Sequence, residues 1–356
     1  MQIRGVSKNL EAIGTFEAWP SGIAVSRSGR IFVSLPRVGQ PAAAPTLVEL
    51  RDGKPVAYPD ELVNDPTAAD ATHRFTSIHG IRMTPGNRLF VLDTGAESFE
   101  GCEPAAAALY CIDLDSDAIV RRYTFAEGVV LATSYLNDLV VEYNRGSAGT
   151  AYISDSGSHG PNAIVVIDLE TGRSLRRLSG HPSVRGKSGE SGFAISVHGQ
   201  TLAMPGAVGV DGIALSPDGK TLWWTPLSSY DFHSMATDVL ADVTKSDVEC
   251  ARAVQTMPER EFASDGLDCD REGRVYFTDL TNDAIQRYIP AERRYETIVH
   301  DERLVWPDAV SLGPDRILYV TASQLNRAPA FNGGTDLREN PFALYRMASD
   351  ADPAGY

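Results

Sequence analysis

The sequence predicts an all-β fold, a six-bladed β-propeller filling residues 1–356 as a single domain. One hairpin-like unit recurs six times, strand-like runs fill the intervals between its copies, and long runs of 3.6-residue apolar periodicity are scarce. A unit of about four strands repeated around an axis is the propeller pattern.

The copies begin at Trp19 (WPSGIAVSRSGRIFVSLP), Ser77 (SIHGIRMTPGNRLFVLDTG), Tyr135 (YLNDLVVEYNRGSAGTAYISDSG), Gly209 (GVDGIALSPDGKTLWWTP), Ser264 (SDGLDCDREGRVYFTDLTND) and Trp306 (WPDAVSLGPDRILYVTAS). Each opens on a two-residue front and runs into an alternating strand. A polar turn carrying Gly or Pro follows, Pro217, Asp218 and Gly219 in the fourth copy, and a β-branched or aromatic strand completes the unit. Runs such as ALYCIDLD, AIVVIDLETGRSLRRL and AIQRYIPAERRYETIV supply the outer strands of each blade.

The fronts carry the chemistry. An innermost strand runs along the channel of a propeller, so its first residues stand around one mouth. That brings together Pro20 and Ser21, His79, Asn137 with Asp138, Asp211, Asp265 and Asp308. Carboxylates crowded in a partly dry channel either retain protons or hold a cation. Their oxygen donors suit Ca²⁺, with Mg²⁺ or Mn²⁺ as alternatives. Asn137, Asp211, Asp265 and Asp308 are therefore the expected ligands of a divalent cation. His79 is the ring member able to move a proton near neutrality, and Asp138 is the second candidate for catalysis.

Asp93, Asp155 and Asp279, at second-strand ends, read as acceptors that orient the ring or simply as hairpin-end turns. His159 and His233, in the loop sequences SDSGSHG and SSYDFHSM, are expected to reach the substrate together with Trp306. The four tryptophans otherwise read mainly as core. Loops 95–108, 156–162, 181–210 and 226–262 would set substrate choice.

A net charge of −15 disfavours nucleic acid and anionic membrane surfaces as partners and points to a neutral or cationic small molecule. No apolar run approaches the roughly 18 residues of a membrane span. The first residues lack a secretory apolar segment, so the expected location is cytoplasmic, with secretion open if a leader had been removed. Cys102 and Cys111, like Cys250 and Cys269, are spaced to close small loops, but four reduced buried thiols fit equally well. Oligomeric state leaves no trace in the sequence.

The successive motifs PSGIAVSRSGRIFVSLPR, HGIRMTPGNRLFVLDTG, YLNDLVVEY with AYISDSG, GVDGIALSPDGKTLWWTPLSS and LYVTASQLNR resemble the major royal jelly protein and Yellow family over nearly the whole chain. That resemblance implies a six-bladed propeller, with dopachrome conversion in some members and binding of amines or other small ligands in others. More distantly, the ring is similar to that of the calcium-dependent lactonases of the gluconolactonase and paraoxonase group. His79-Gly80 matches their His-Gly, Asn137-Asp138 their Asn-Asp, and Asp265-Gly266 their Asp. Two departures stand out. Their first-blade Glu is Pro20 or Ser21 here, unless Glu17 substitutes, and their fourth-blade Asn is Asp211. Asp211 and Asp308 would restore the missing charge.

Two functions are accordingly expected. The first is metal-assisted hydrolysis of a lactone or ester, with His79 or a ring carboxylate activating water. The alternative is a Yellow-like binding protein or tautomerase that takes an amine or catechol without a metal.

Overall fold

The computed structural model describes residues 7–40, 45–68, 74–187, 192–197 and 200–354. Parts of the predicted substrate loop 181–210, namely 188–191 and 198–199, lie outside them, as do the first six residues.

Strand β1 (Glu11–Phe16) is set apart from the strands that follow it in sequence. The first blade comprises β2 (Ile23–Val25), β3 (Ile31–Ser34), β4 (Leu47–Arg51) and β5 (Lys54–Ala57). The second comprises β6 (Ile78–Thr84), β7 (Arg88–Asp93), β8 (Ala108–Asp113) and β9 (Ala118–Thr124). In the third are β10 (Leu136–Glu142), β11 (Thr150–Asp155), β12 (Ala163–Asp168) and β13 (Ser174–Arg177). A separate hairpin, β14 (Ala194–Val197) with β15 (Gln200–Ala203), precedes the fourth blade. That blade is β16 (Val210–Leu215), β17 (Thr221–Pro226), β18 (His233–Ala236) and β19 (Gln255–Thr256). The fifth is β20 (Leu267–Cys269), β21 (Val275–Asp279), β22 (Ala284–Ile289) and β23 (Arg294–His300). Strands β24 (Pro307–Gly313), β25 (Ile317–Ala322) and β26 (Phe342–Ala348) form the sixth, and β1 pairs with β26 as its outer strand. The two ends of the ring are thus joined within one sheet.

All six copies read in the sequence become the two inner strands of a blade. The intervening runs become outer strands, as the pattern required. Between blades the core is apolar: Val140, Tyr152 and Ile164 of the third blade pack with Val210, Ile213, Leu222 and Trp224 of the fourth. Full burial of each large side chain contributes about 1.5–3 kcal/mol.

Local backbone geometry explains why the fronts look as they do. Pairing slips at Ile78/Ile81, Leu136/Leu139, Val210/Ile213 and Pro307/Val310, each slip falling on a front. A bulge there adds a residue on the inner strand and re-aims its side chains toward the mouth. The glycine that follows many fronts answers to crowding around the axis. A Cβ on Gly80 would lie 2.5 Å from the carbonyl oxygen of Asn137, and one on Gly212 2.2 Å from that of Asp265. The recurrent acid-glycine pair therefore combines a donor with the absence of a side chain that would hold neighbouring strands apart.

The segment between β18 and β19 departs from expectation. It holds two helices, α1 (Thr237–Ala241) and α2 (Asp247–Ala253), the latter opened by a capping box between Ser246 and Glu249. Because β18 runs away from the mouth, they lie at the far end of the blade, and most of 226–262 does not overhang the opening. All four cysteines are free thiols; Cys111, Cys250 and Cys269 are buried and Cys102 partly so.

Candidate functional site

At the channel mouth lies a cavity of about 170 Å³. His79, Asn137, Asp211, Asp265 and Asp308 line its floor. Trp19, Phe99, Tyr135, Met204, Leu227, Trp306 and Phe331 are prominent in its walls. Five of the predicted ring residues therefore meet at one place, together with Trp306.

The positions of these side chains are fixed from behind. Asp93 accepts hydrogen bonds from the backbone N–H groups of Thr76 and Ser77, just before the His79 front. Asp155 accepts from the N–H of Tyr135 at 3.0 Å and from Arg176 at 2.7 Å. Asp279 accepts from the backbone of Thr281 and Asn282 and from the Gln286 amide, holding the turn beyond its strand. Asp93 and Asp155 thus brace the backbone leading into a front, whereas Asp279 serves as a hairpin-end turn residue.

Three carboxyls dominate the electrostatics of the floor. Burial raises Asp211 and Asp265 well above the usual carboxylate range, and Asp308 is pushed up to about 6. Asp211 and Asp265 are hydrogen-bonded to each other, which requires a proton between them. Oδ2 of Asp265 accepts from Trp306 Nε1 at 2.8 Å, and Asp308 Oδ1 accepts from Ser21 Oγ at 2.8 Å. Trp306 is held at φ +52°, a left-handed backbone that a bulky residue adopts at a cost.

His79 and Tyr135 form a second unit. The Tyr135 hydroxyl and His79 Nδ1 are 2.9 Å apart, their rings meet edge-on, and burial pushes the imidazole down to about 3. His79 is therefore neutral at physiological pH. Tyr135 is raised by burial and then by Asp211, Asp308 and Asp265, so the phenol is neutral too.

Other predicted residues lie elsewhere. Asp138 does not line the cavity. Burial pushes its carboxyl up to about 7, with the Leu139 N–H and Arg82 opposing the rise and Asp268 and Asp308 adding to it. Arg82 and Asp268 are themselves paired at 2.7 Å. One residue beyond Asn137 on the strand, Asp138 occupies the place that Gly80 and Gly212 take in their blades. His159 is an exposed partner of Glu100 at 2.7 Å, at the rim rather than in the cavity. His233 is in β18, packed on Trp224 and buried within the fourth blade. Its loop position in the sequence hid a strand residue. Glu17 is exposed, 3.3 Å from the Asn340 amide, and does not replace the missing first-blade acid.

The sequence reading missed Tyr135 and Trp19 as cavity walls. Both immediately precede or open a front, which is the signal that could have found them. It also missed the stretch 325–331, whose Leu325, Ala328, Ala330 and Phe331 close one side. No repeat marks that segment.

A hard cation suits the donor types on the floor. Asn137 spends its amide nitrogen on Ser156 Oγ at 3.1 Å, which leaves its oxygen for a cation. Placement is a different matter: among the described residues no group of three His, Cys, Asp or Glu side chains is arranged to hold a metal. The carboxyls lean on one another, on Trp306 and on Ser21 instead. Four predicted ligands are brought together, but not as a preformed coordination shell.

The family described as "Major royal jelly protein" matches residues 76–353. Protein yellow of Drosophila melanogaster is 28% identical over 236 residues, covering 61% of this chain and 41% of that protein. The chain thus spans about two fifths of the length of that curated relative. Among solved structures, a gluconolactonase of Xanthomonas campestris is 13% identical with a TM-score of 0.56, covering 95% of this chain and 88% of its own. A calcium-binding protein, regucalcin, of Agrobacterium tumefaciens is 14% identical with a TM-score of 0.56, covering 96% and 95%. At these identities the two structures establish the fold.

Proposed function

The chain belongs to the major royal jelly protein family, and from that premise we propose that its channel mouth binds a small molecule with an aromatic body and a cationic head, an amine above all. The observation that carries this reading is the pairing of Asp211, Asp265 and Asp308 with walls of Trp19, Phe99, Tyr135, Trp306 and Phe331. A buried carboxylate is costly without a counter-charge, and an ammonium supplies one. Aromatic faces hold the ligand's ring and attract its cationic end. A polyhydroxylated lactone fits less well, because apolar walls leave its hydroxyls without partners. Binding of an amine or catechol is the alternative expected from the sequence, and the aromatic composition of the walls supports it.

Hydrolysis of a lactone or ester with a divalent cation is a second reading, favoured by the oxygen donors of Asn137, Asp211, Asp265 and Asp308. It requires the hydrogen-bonded carboxyls to rearrange, so no catalytic step is derived from the present arrangement.

Thermal shift separates the readings, since a ligand that prefers the folded state raises the melting temperature. Tyramine is expected to raise it more than the uncharged p-cresol. Equal shifts from the two would overturn the amine reading. A shift with calcium that chelator reverses, together with chelator-sensitive lactone hydrolysis, would establish the second.

A further inference from the structure

Arg260 is 1% exposed, yet it has no carboxylate salt bridge among the described residues. It lies in the crossing from the outer strand β19 to the inner strand β20, five residues before Asp265 of the cavity floor. A buried guanidinium must find acceptors or lose several kcal/mol; here Nε and Nη2 find them at the end of β17 and in the loop that follows it, while Nη1 has no hydrogen-bond partner. Its Nε donates to the carbonyl of Tyr230 at 3.2 Å. Its Nη2 donates to the carbonyls of Ser229 and Asp231, each at 3.2 Å, and to the hydroxyl of Thr225. The guanidinium also lies against the rings of Phe262 and Phe277, at 5.3 and 5.5 Å. Burial lowers its pKa to about 10, which leaves it charged at neutral pH.

The gripped loop joins β17 to β18 on the mouth side of the fourth blade and carries Leu227 into the cavity wall. Its Tyr230 packs edge-on against Phe193 at 5.1 Å. Phe193, Met204, Leu227 and Trp306 belong to one apolar cluster, and the last three line the cavity. We propose that Arg260 is a positioning residue that sets the width of the cavity, holding its Leu227 wall against the Trp306 side through the carbonyls of residues 229–231. The inference rests on the cavity being a small-molecule site, but not on the charge of the ligand.

The test uses two uncharged probes, p-cresol and 3-methylindole, one ring against two, with affinities measured by calorimetry. Arg260→Gln should change the ratio of the two affinities roughly tenfold, the scale on which a misfitted apolar wall alters selectivity. Arg177→Gln is the control. Arg177 is also buried and grips backbone carbonyls, those of Leu240, Asp242 and Lys245, but neither it nor they line the cavity. It should lower stability while leaving the ratio unchanged. If Arg260→Gln does not yield folded protein, Thr225→Val removes one gripped acceptor and should by itself change the ratio. A ratio unchanged in the folded Arg260 variant, or in Thr225→Val where that replaces it, would overturn the proposal. So would an equal change in Arg177→Gln. The amine reading is judged separately, by tyramine against p-cresol on the unaltered protein.

Discussion

The hydroxyl of Tyr135 and Nδ1 of His79 are 2.9 Å apart in the cavity wall, where burial keeps both rings neutral. Removing the hydroxyl strands a buried ring nitrogen. Tyr135→Phe should therefore cost about 1–3 kcal/mol in urea unfolding. By NMR, one of the imidazole signals should stay unshifted from pH 8 down to pH 4, and His79→Gln should remove that signal. A His79 resonance titrating near pH 6.5, the ordinary histidine value, would contradict the arrangement.

Asp138 and His79 should give stability opposite dependences on pH. Asp138 is raised to about 7 in the folded chain, so its neutral form is favoured by folding. Its contribution is complete below about pH 4, the ordinary aspartate range, and is lost as pH rises to about 7. His79 is lowered to about 3, so its contribution is complete above about pH 6.5 and is lost as pH falls. Stability of the wild type minus that of Asp138→Asn should decline from pH 4.5 to 7.5, by at most about 1.4 kcal/mol per pH unit. The same difference with His79→Gln should rise over pH 4.5 to 6.5. Urea titrations at several pH values check both slopes.

Gly212 tests whether the blades touch as closely as the fronts imply. An added Cβ would meet the Asp265 carbonyl at 2.2 Å, and that carbonyl lies in the front just before the inner strand of the next blade. Gly212→Ala should cost about 3 kcal/mol or more, because backbone must move rather than a side-chain tip. Gly29→Ala, at a turn with open space around it but φ +84°, should cost only about 1–2 kcal/mol. Denaturant midpoints of the two variants make the comparison.

The sequence revealed the six blades because each repeats a period-two strand pair. It revealed Asp211, Asp265 and Asp308 because register alone brings equivalent fronts to one mouth. His233 was misread because β18 is short and follows the polar stretch SSYD, which resembles a loop. Asp138 was grouped with Asn137 because the two form one front, but successive side chains along a strand point to opposite faces, and Asn137 lines the cavity while Asp138 does not. The walls were least legible. Phe99, Met204 and Phe331 come from irregular connections whose course is set by packing, and Arg260 acts through backbone carbonyls that no side-chain motif records.

The hydrogen bond between Asp211 and Asp265 makes a prediction about amine affinity that counting carboxylates would miss. Two carboxyls sharing a proton present one negative charge between them, and they titrate as a pair. The amide introduced by Asp265→Asn would mimic a protonated Asp265: its oxygen can accept from Trp306 Nε1 and its nitrogen can donate to Asp211. Asp211 then ionises more readily, and the pair still offers one charge to an ammonium. Each single variant, Asp211→Asn or Asp265→Asn, should weaken tyramine binding by less than about fivefold. The double variant removes the charge of the pair, leaving only Asp308 on the floor, and should lose roughly ten- to a hundredfold, the range expected for a hydrogen bond to a charged group. Binding of p-cresol should change little in all three. Calorimetry on the four proteins measures the coupling directly; losses that simply multiply would show that the two carboxyls act on the ligand independently.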